Sequence, residues 1–297
     1  MAATAPQQPA GLAVARARRL ADTLAAPPRT AADVDALEAL RADTARHLAA
    51  VAADLPEGER LVLDGHRLLV AHRHPERCAL AEAPFTPSPR SCRRAVGMAV
   101  VARCVRAGAP APAAAVAEVV EEAVADLEAP GGAGRAPWWA RYYAGLPAGG
   151  RAVVRAEAVG FATRLVTAVE WERLERPPVV GGRDDWWQCP SGALTLRGRA
   201  ELRVATGERV TLLVVGTRRC REDWRVELGY PGLVATLVRA PAAAPGRVVG
   251  LWPDSGQVRV LELDPGTLER TAAAVVAAAA SWVDARIEAA GAPGAAG

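Results

Sequence analysis

The chain has 297 residues, enough for one large domain or two small ones with a sizeable core, and 51% of them are hydrophobic, alanine foremost. A formal net charge of +3 permits nucleic-acid binding without demanding it, and excludes the strongly basic class in which charge alone names the partner. All 36 basic residues are arginine and asparagine is absent, a usage that reads as coding bias, so arginine abundance by itself argues little.

Residues 1–29 are rich in Ala, Pro and Gln, with Arg16, Arg18 and Arg19 among apolar neighbours. They hold neither an apolar secretory core with a cleavage site nor a run able to span a bilayer, so they read as a disordered lead-in to a cytoplasmic protein with no membrane partner. From Ala31 to Ala53 the apolar residues Val34, Leu37, Leu40, Ala45 and Leu48 fall near one helical stripe. In ERLVLDGHRLLVAH, two apolar runs flank Asp64-Gly65, and the pattern predicts a strand hairpin. His72, His74 and Cys78 follow beside a turn; without a fourth ligand they read as surface histidines.

Ser88 and Pro89 form a helix start, and the helix runs to a Gly108 stop, carrying Arg90, Arg93, Arg94 and Arg106. That cluster fits either a phosphate contact or a solvated face. A helix over Ala113–Leu127 bears Glu118, Glu121, Glu122, Asp126 and Glu128, which would face away from any nucleic acid. Residues 30–130 are thus expected to form a mainly helical region with one hairpin, and APGGAGRAP at 129–137 marks a soft domain boundary.

Directly after it, Trp138, Trp139, Tyr142 and Tyr143 interleave with Arg135 and Arg141. Aromatics beside guanidinium groups suit single-stranded nucleic acid, at about 1–3 kcal/mol per stacked base; the plainer reading, a seam packed between helices, is favoured. The segment Arg151–Arg173 is a helix with Val154, Ala158, Phe161, Leu165, Ala168 and Trp171 on its buried side, and it carries Glu157. Asp184-Asp185-Trp186-Trp187-Gln188 reads as a loop with two exposed carboxylates.

The stretch Leu194–Cys220, LTLRGRAELRVATGERVTLLVVGTRRC, carries most of the functional signal. With a period of two, Leu194, Leu196, Ala200, Leu202 and Val204 fall on one face and Thr195, Arg197, Arg199, Glu201 and Arg203 on the other. A turn at 205–208 leads to a nearly unbroken apolar strand, Arg209–Val215. Next comes a helix over Glu222–Val238, with a break expected at Gly229 and Pro231. RVVGLWP and QVRVLEL then flank a PDSG turn as a hairpin. Asp264 caps a last helix with Pro265 at its start and Leu268, Val275, Ala279, Trp282, Val283 and Ile287 in its stripe; residues 291–297 are a disordered tail.

The string GRAELRV, a hairpin, LLVVGTRRC, a helix, and RVVGLWPDSGQVRVLELDPGTLERTAAAVV resembles the RecB-like nuclease family of the PD-(D/E)XK superfamily. The resemblance implies an α+β fold: a restriction-endonuclease-like core over 138–290, its mixed sheet flanked by helices, preceded by the mainly helical N-terminal region. It implies DNA as partner, Mg²⁺ as cofactor where the nuclease is active, and a place in repair, recombination or replication, with a partner protein of such a complex. By the same resemblance Glu201 stands for the first metal-binding carboxylate, Gly216 for the second, and Arg218 for the catalytic lysine, so two of three positions are altered. Substitute metal ligands would come from Glu157, Asp184, Asp185, Glu222, Asp223 or Glu227. Arg197, Arg199, Arg203, Arg90, Arg93, Trp138, Trp139 and Arg141 are the expected nucleic-acid contacts, and Glu201 and Arg218 the expected catalytic pair.

The altered positions matter chemically. Mg²⁺ is hard and dehydrates reluctantly, so a hydrolytic site needs more than one anionic ligand, and a glycine offers at most its carbonyl. Arginine keeps the lysine's charge but not its geometry. The five cysteines form no CxxC pair, which argues against a disulfide framework and a standard zinc site; the resemblance implies an iron–sulfur cluster only with a closely spaced C-terminal cysteine group, and no cysteine follows Cys220. No phosphate loop, dinucleotide fingerprint, HExxH or GxSxG occurs. The sequence therefore reads as a nucleic-acid-binding protein on a nuclease fold with a degenerate site. The alternatives are an active Mg²⁺-dependent nuclease with relocated ligands and a protein scaffold that binds no nucleic acid.

Overall fold

A computed structural model describes residues 10–27, 33–78, 85–108, 111–131, 134–174, 178–180, 184–206, 209–216 and 219–291. Its elements begin with α1 (Ala10–Ala25), α2 (Val34–Ala53), β1 (Leu61–Asp64), α3 (Gly65–Arg73), α4 (Pro89–Ala107), α5 (Pro112–Glu128), α6 (Trp138–Ala144) and α7 (Ala148–Val166). They continue with β2 (Val179–Val180), β3 (Asp185–Gln188), β4 (Leu194–Gly198), β5 (Leu202–Thr206) and β6 (Arg209–Val215). The chain closes with α8 (Trp224–Val238), β7 (Pro245–Trp252), β8 (Gln257–Glu262) and α9 (Pro265–Gly291). The architecture is α+β, with mixed sheets flanked by helices and a helical N-terminal region. Among the described residues no helix is long and apolar enough to cross a membrane.

Two compact units divide the chain: Met1–Ala26, Phe85–Gly181 and Trp252–Gly256 make the first, and Pro27–Pro84, Gly182–Leu251 and Gln257–Gly297 the second. This partition differs from the expected one. The glycine-rich stretch at 129–137 lies inside the first unit, because α5, α6 and α7 on either side of it pack on one another. A linker composition says only that a segment is not regular; packing decides whether it separates anything.

The first unit is helical, built around α4 against α7. Gly97 permits their approach, since a Cβ there would stand 2.6 Å from the Phe161 ring. Ser88 caps α4 as expected, taking the Ser91 N–H at 3.2 Å, and Gly108 ends it at φ +64°. Residues 10–25, expected within a disordered lead-in, are the helix α1. Ala17, Leu20, Ala21 and Leu24 are buried on one side while Arg18 pairs with Glu170 and Asp22 with Arg173. Residues 1–9 and the tail 292–297 lie outside the described residues.

The second unit holds a three-stranded sheet ordered β1-β4-β3 and the strands β5-β6-β7-β8 of a larger one. β1 runs parallel to β4 and β3 antiparallel to it; β5 is antiparallel to β6, and β6 is parallel to β7. A parallel pair needs a crossover, and α8 supplies it. α8 also packs on β3, β4 and α9. At Gly198 the sheet meets α8 so closely that a Cβ would lie 2.8 Å from Val234 Cβ.

Four further expectations are corrected in this unit. The segment 59–72 is no hairpin: β1 passes straight into α3, and Asp64 is its cap, accepting the Arg67 N–H at 2.9 Å. The carboxylate that makes Asp-Gly a turn signal serves a helix start equally well. Residues 185–188 are the strand β3 and not a loop. Leu194–Val204 is not one strand: it breaks at 199–201, and its halves β4 and β5 belong to different sheets. The α8 helix runs unbroken through Pro231, packed hard on α9 and β8's end, where Cβ atoms at Gly229 and Gly232 would stand 2.5 Å from Thr271 and 2.8 Å from Leu263. Tertiary burial there offsets the missing hydrogen bond.

Candidate functional site

The C-terminal end of a parallel strand pair is where α/β sheets place their ligands. Here that point is Val215-Gly216, between β6 and the start of α8. Gly216 donates its N–H to Leu251 at 2.8 Å, so the β6–β7 ladder runs on through it. Glu201 arrives from the break between β4 and β5. Its N–H donates to Leu213 at 3.0 Å, and its Oε2 accepts the Val215 N–H at 2.9 Å. The residue is 7% exposed. The expected metal carboxylate is thus built into the sheet, one of its oxygens standing in for a strand partner.

Two more carboxylates come from the start of α8. Asp223 is gripped by both Nε and Nη2 of Arg73, the latter at 2.7 Å, with both side chains mostly buried. Burial alone would raise the Asp223 pKa, but the Arg73 hydrogen bonds and charge outweigh it and hold the carboxyl below its ordinary value. One turn on, Glu227 has no such partner among the described residues. Burial pushes its pKa up, the Asp223 charge pushes it further, and Glu201 adds to the effect against the pull of Arg73 and Arg221. Across from them the Cys220 N–H donates to Gln257 Oε1 at 2.9 Å.

This donor set fits Mg²⁺ poorly. Glu201 has an oxygen on a main-chain N–H, Gly216 brings no side chain, Asp223 is bound by Arg73, and Glu227 is pushed towards its neutral form. No three His, Cys, Asp or Glu side chains converge as a metal-binding group among the described residues. The catalytic candidate Arg218 lies outside the described residues.

The remaining candidates of this unit are engaged differently from what period-two alternation implies. Arg197 bonds Asp184 at 2.7 Å and lays its guanidinium over the Trp186 ring, Cζ 5.2 Å from the centroid. Trp186 is 51% exposed and pairs with Arg197 across β3 and β4. Arg199, just beyond β4, is exposed. Arg203 is no surface contact: it is largely buried and binds Asp185 at 2.7 Å, with Arg239 on the other carboxylate oxygen at 3.2 Å. Asp184 and Asp185 are therefore arginine partners and not loop carboxylates open to a metal.

Within the first unit, Arg93 on α4 pairs with Glu157 on α7 at 2.7 Å, which engages a nucleic-acid candidate and a metal candidate with each other. Trp139 is buried, whereas Trp138 is exposed and meets Phe85 edge to face at 5.0 Å. Arg90 and Arg141 lie on the exposed sides of α4 and α6.

Sequence reasoning missed the Arg73–Asp223 grip and the exposed Trp186. The first joins residues far apart in the chain and left no local trace. The second had no clear signal either: in Asp185-Trp186-Trp187-Gln188 each face of the strand carries one tryptophan and one polar residue, so alternation does not say which ring is exposed. No family model matches this chain, and the curated proteins give no match.

Proposed function

We propose that this chain is a nucleic-acid-binding protein on a RecB-like, PD-(D/E)XK-type core whose catalytic site is degenerate, serving DNA repair, recombination or replication in the cytoplasm. The observation that carries the reading is Glu201: the carboxylate at the first metal position accepts the N–H of Val215, next to a glycine at the second. A site for two-carboxylate metal chemistry has become part of the sheet's hydrogen bonding. The order β5, β6, α8, β7, with β6 and β7 parallel, supports the core assignment, since an antiparallel hairpin, a crossover helix and a parallel strand follow one another as the resemblance implies. Support for nucleic acid comes from Trp186, Arg197 and Arg199, an exposed ring under a fixed guanidinium beside a further exposed cation.

The test is binding of the full chain to labelled single- and double-stranded DNA across a salt series. The expected result is log affinity falling linearly with log salt, a shallower slope in the Arg197→Ala/Arg199→Ala variant, and intact DNA after incubation with Mg²⁺ or Mn²⁺. No binding at low salt overturns the reading.

One observation favours a second reading, a working Mg²⁺-dependent nuclease with a relocated ligand. Glu227 is half-buried on α8 and feels the charges of both Asp223 and Glu201, as a carboxylate displaced onto the helix would. Cleavage that requires metal and disappears in both Glu227→Gln and Glu201→Gln supports it.

A further inference from the structure

Within the first unit a cavity of about 530 Å³ opens where α5, α6 and α7 pack on one another. That volume falls in the range of small-molecule sites. Val120 and Val124 of α5, Ala152 of α7 and the Tyr143 ring of α6 give it an apolar lining. Charge is divided between its walls: Glu121 and Glu128 stand two turns apart on α5, and Arg151 and Arg155 one turn apart on α7.

Arg155 is half-buried, and its Nε donates to the Tyr143 hydroxyl at 2.7 Å, with Cζ 5.9 Å from the centroid of that ring. Tyr143 is itself 3% exposed, so the guanidinium has a fixed anchor. No carboxylate meets it among the described residues, whereas Arg73, Arg93 and Arg247, also half-buried or deeper, each pair with one. Its two terminal nitrogens make no hydrogen bond there and are not sealed from water, so a ligand in the cavity can reach them. On the other wall Glu118 and Glu122 are taken by Arg103, but Glu121 and Glu128 have no cationic partner among the described residues. Opposite charges thus line one cavity without joining across it, and a molecule carrying both signs is their complement.

We propose that this cavity binds a zwitterion, a carboxylate and an ammonium held apart by a compact apolar body, as in an ω-amino acid. The carboxylate takes the terminal nitrogens of Arg155, with Arg151 adding charge. The ammonium pairs with Glu121 or Glu128, and the hydrocarbon covers Val120, Val124 and Ala152. A guanidinium fixed before the ligand arrives loses little freedom on binding, so the carboxylate end carries more of the affinity. A polyanion such as a nucleic-acid backbone is repelled by the two glutamates, which sets this site apart from the proposed DNA contact.

The test uses the full chain at neutral pH with tranexamic acid, a cyclohexane bearing a carboxylate at one end and an aminomethyl group at the other, beside cyclohexanecarboxylate and cyclohexylmethylammonium, read by ligand-observed NMR titration. The zwitterion is expected to bind about fivefold more tightly than either half, the upper margin of one solvent-exposed ion pair, and the carboxylate more tightly than the amine. Glu121→Gln/Glu128→Gln, at exposed positions where folding is not at stake, should bring the zwitterion down to the carboxylate's affinity, and Arg151→Gln/Arg155→Gln to the amine's. Tyr143→Phe keeps the ring and releases the guanidinium; it should weaken both carboxylate-bearing ligands about threefold and leave the amine unchanged. A zwitterion that binds no better than its halves, binding unchanged in the glutamate or arginine variants, an amine weakened as much as the carboxylates in Tyr143→Phe, or no binding by any of the three overturns the proposal.

Discussion

Glu201 holds the main-chain N–H of Val215 at 2.9 Å from inside the sheet, and this one bond ties the break between β4 and β5 to the end of β6. A carboxylate so placed is a strand partner first. Glu201→Ala should therefore destabilise the fold by about 1–3 kcal/mol, because the buried Val215 N–H loses its acceptor. Glu201→Gln keeps an acceptor oxygen and should cost clearly less. Urea unfolding of the two variants checks this; equal losses would show that the charge, and not the hydrogen bond, is what the sheet requires. The comparison also guards functional tests, since activity lost only in the alanine variant would report folding.

Gly198 and Val234 bring β4 and α8 close together, with a Cβ at Gly198 falling 2.8 Å from Val234 Cβ. Backbone-anchored atoms cannot swing aside, so Gly198→Ala should overpack the contact and cost about 1–3 kcal/mol. Removing the two γ carbons in Val234→Ala leaves Cβ in place but frees room for α8 to shift. The double variant should then be more stable than the sum of the single losses predicts, a coupling readable in a double-mutant cycle. Simple additivity would mean that the glycine is retained for its backbone and not for this contact.

Much of the fold was legible because helices announce their ends locally. Ser88-Pro89 and Gly108 bounded α4, and Asp264-Pro265 began α9 with the Thr267 N–H on Asp264 at 2.8 Å. The readings that went astray each turned on a partner distant in sequence. β1 looked like half a hairpin because its neighbours were apolar, yet it pairs with β4, aligning Leu61 with Leu194. Alternation through Leu194–Val204 was real at Leu194, Leu196, Leu202 and Val204, all buried, but periodicity cannot see a chain leave one sheet for another. Glu201 itself was nameable from the sequence but its setting was not: parity put it on the charged face, and the break between β4 and β5 sets it in the sheet with its carboxylate on the Val215 N–H.

Trp186 and Arg197 give the nucleic-acid reading a sharper prediction. One guanidinium already lies over the ring, fixed by Asp184, and the ring is half exposed. Trp186→Ala should weaken single-stranded DNA binding about tenfold while leaving the salt slope unchanged, since stacking neutralises no phosphate. Trp186→Phe should retain most of the affinity. Tryptophan fluorescence titration measures both; an unaffected Trp186→Ala variant would move the contact to another surface.

Glu227 supplies the pH dependence. Burial first, and then the Asp223 charge, raise its pKa above the ordinary 4.5, so over the interval above 4.5 the folded chain holds a proton that the unfolded chain has released. More protons bound to the native state means that stability falls with rising pH: this contribution is complete below 4.5 and is lost as pH climbs through the raised native value. Asp223 acts in the opposite sense and in a separate window, its Arg73-supported stability disappearing as pH falls below 3.8 towards its lowered native value. Urea midpoints across the acidic range should thus fall on both sides of a maximum near the gap between these windows. Glu227→Gln should remove the alkaline-side decline without touching the acid-side one, and should make the chain more stable than the parent at neutral pH. A decline that survives the substitution would assign the titration to another group and end the case for a neutral carboxyl at this turn of α8.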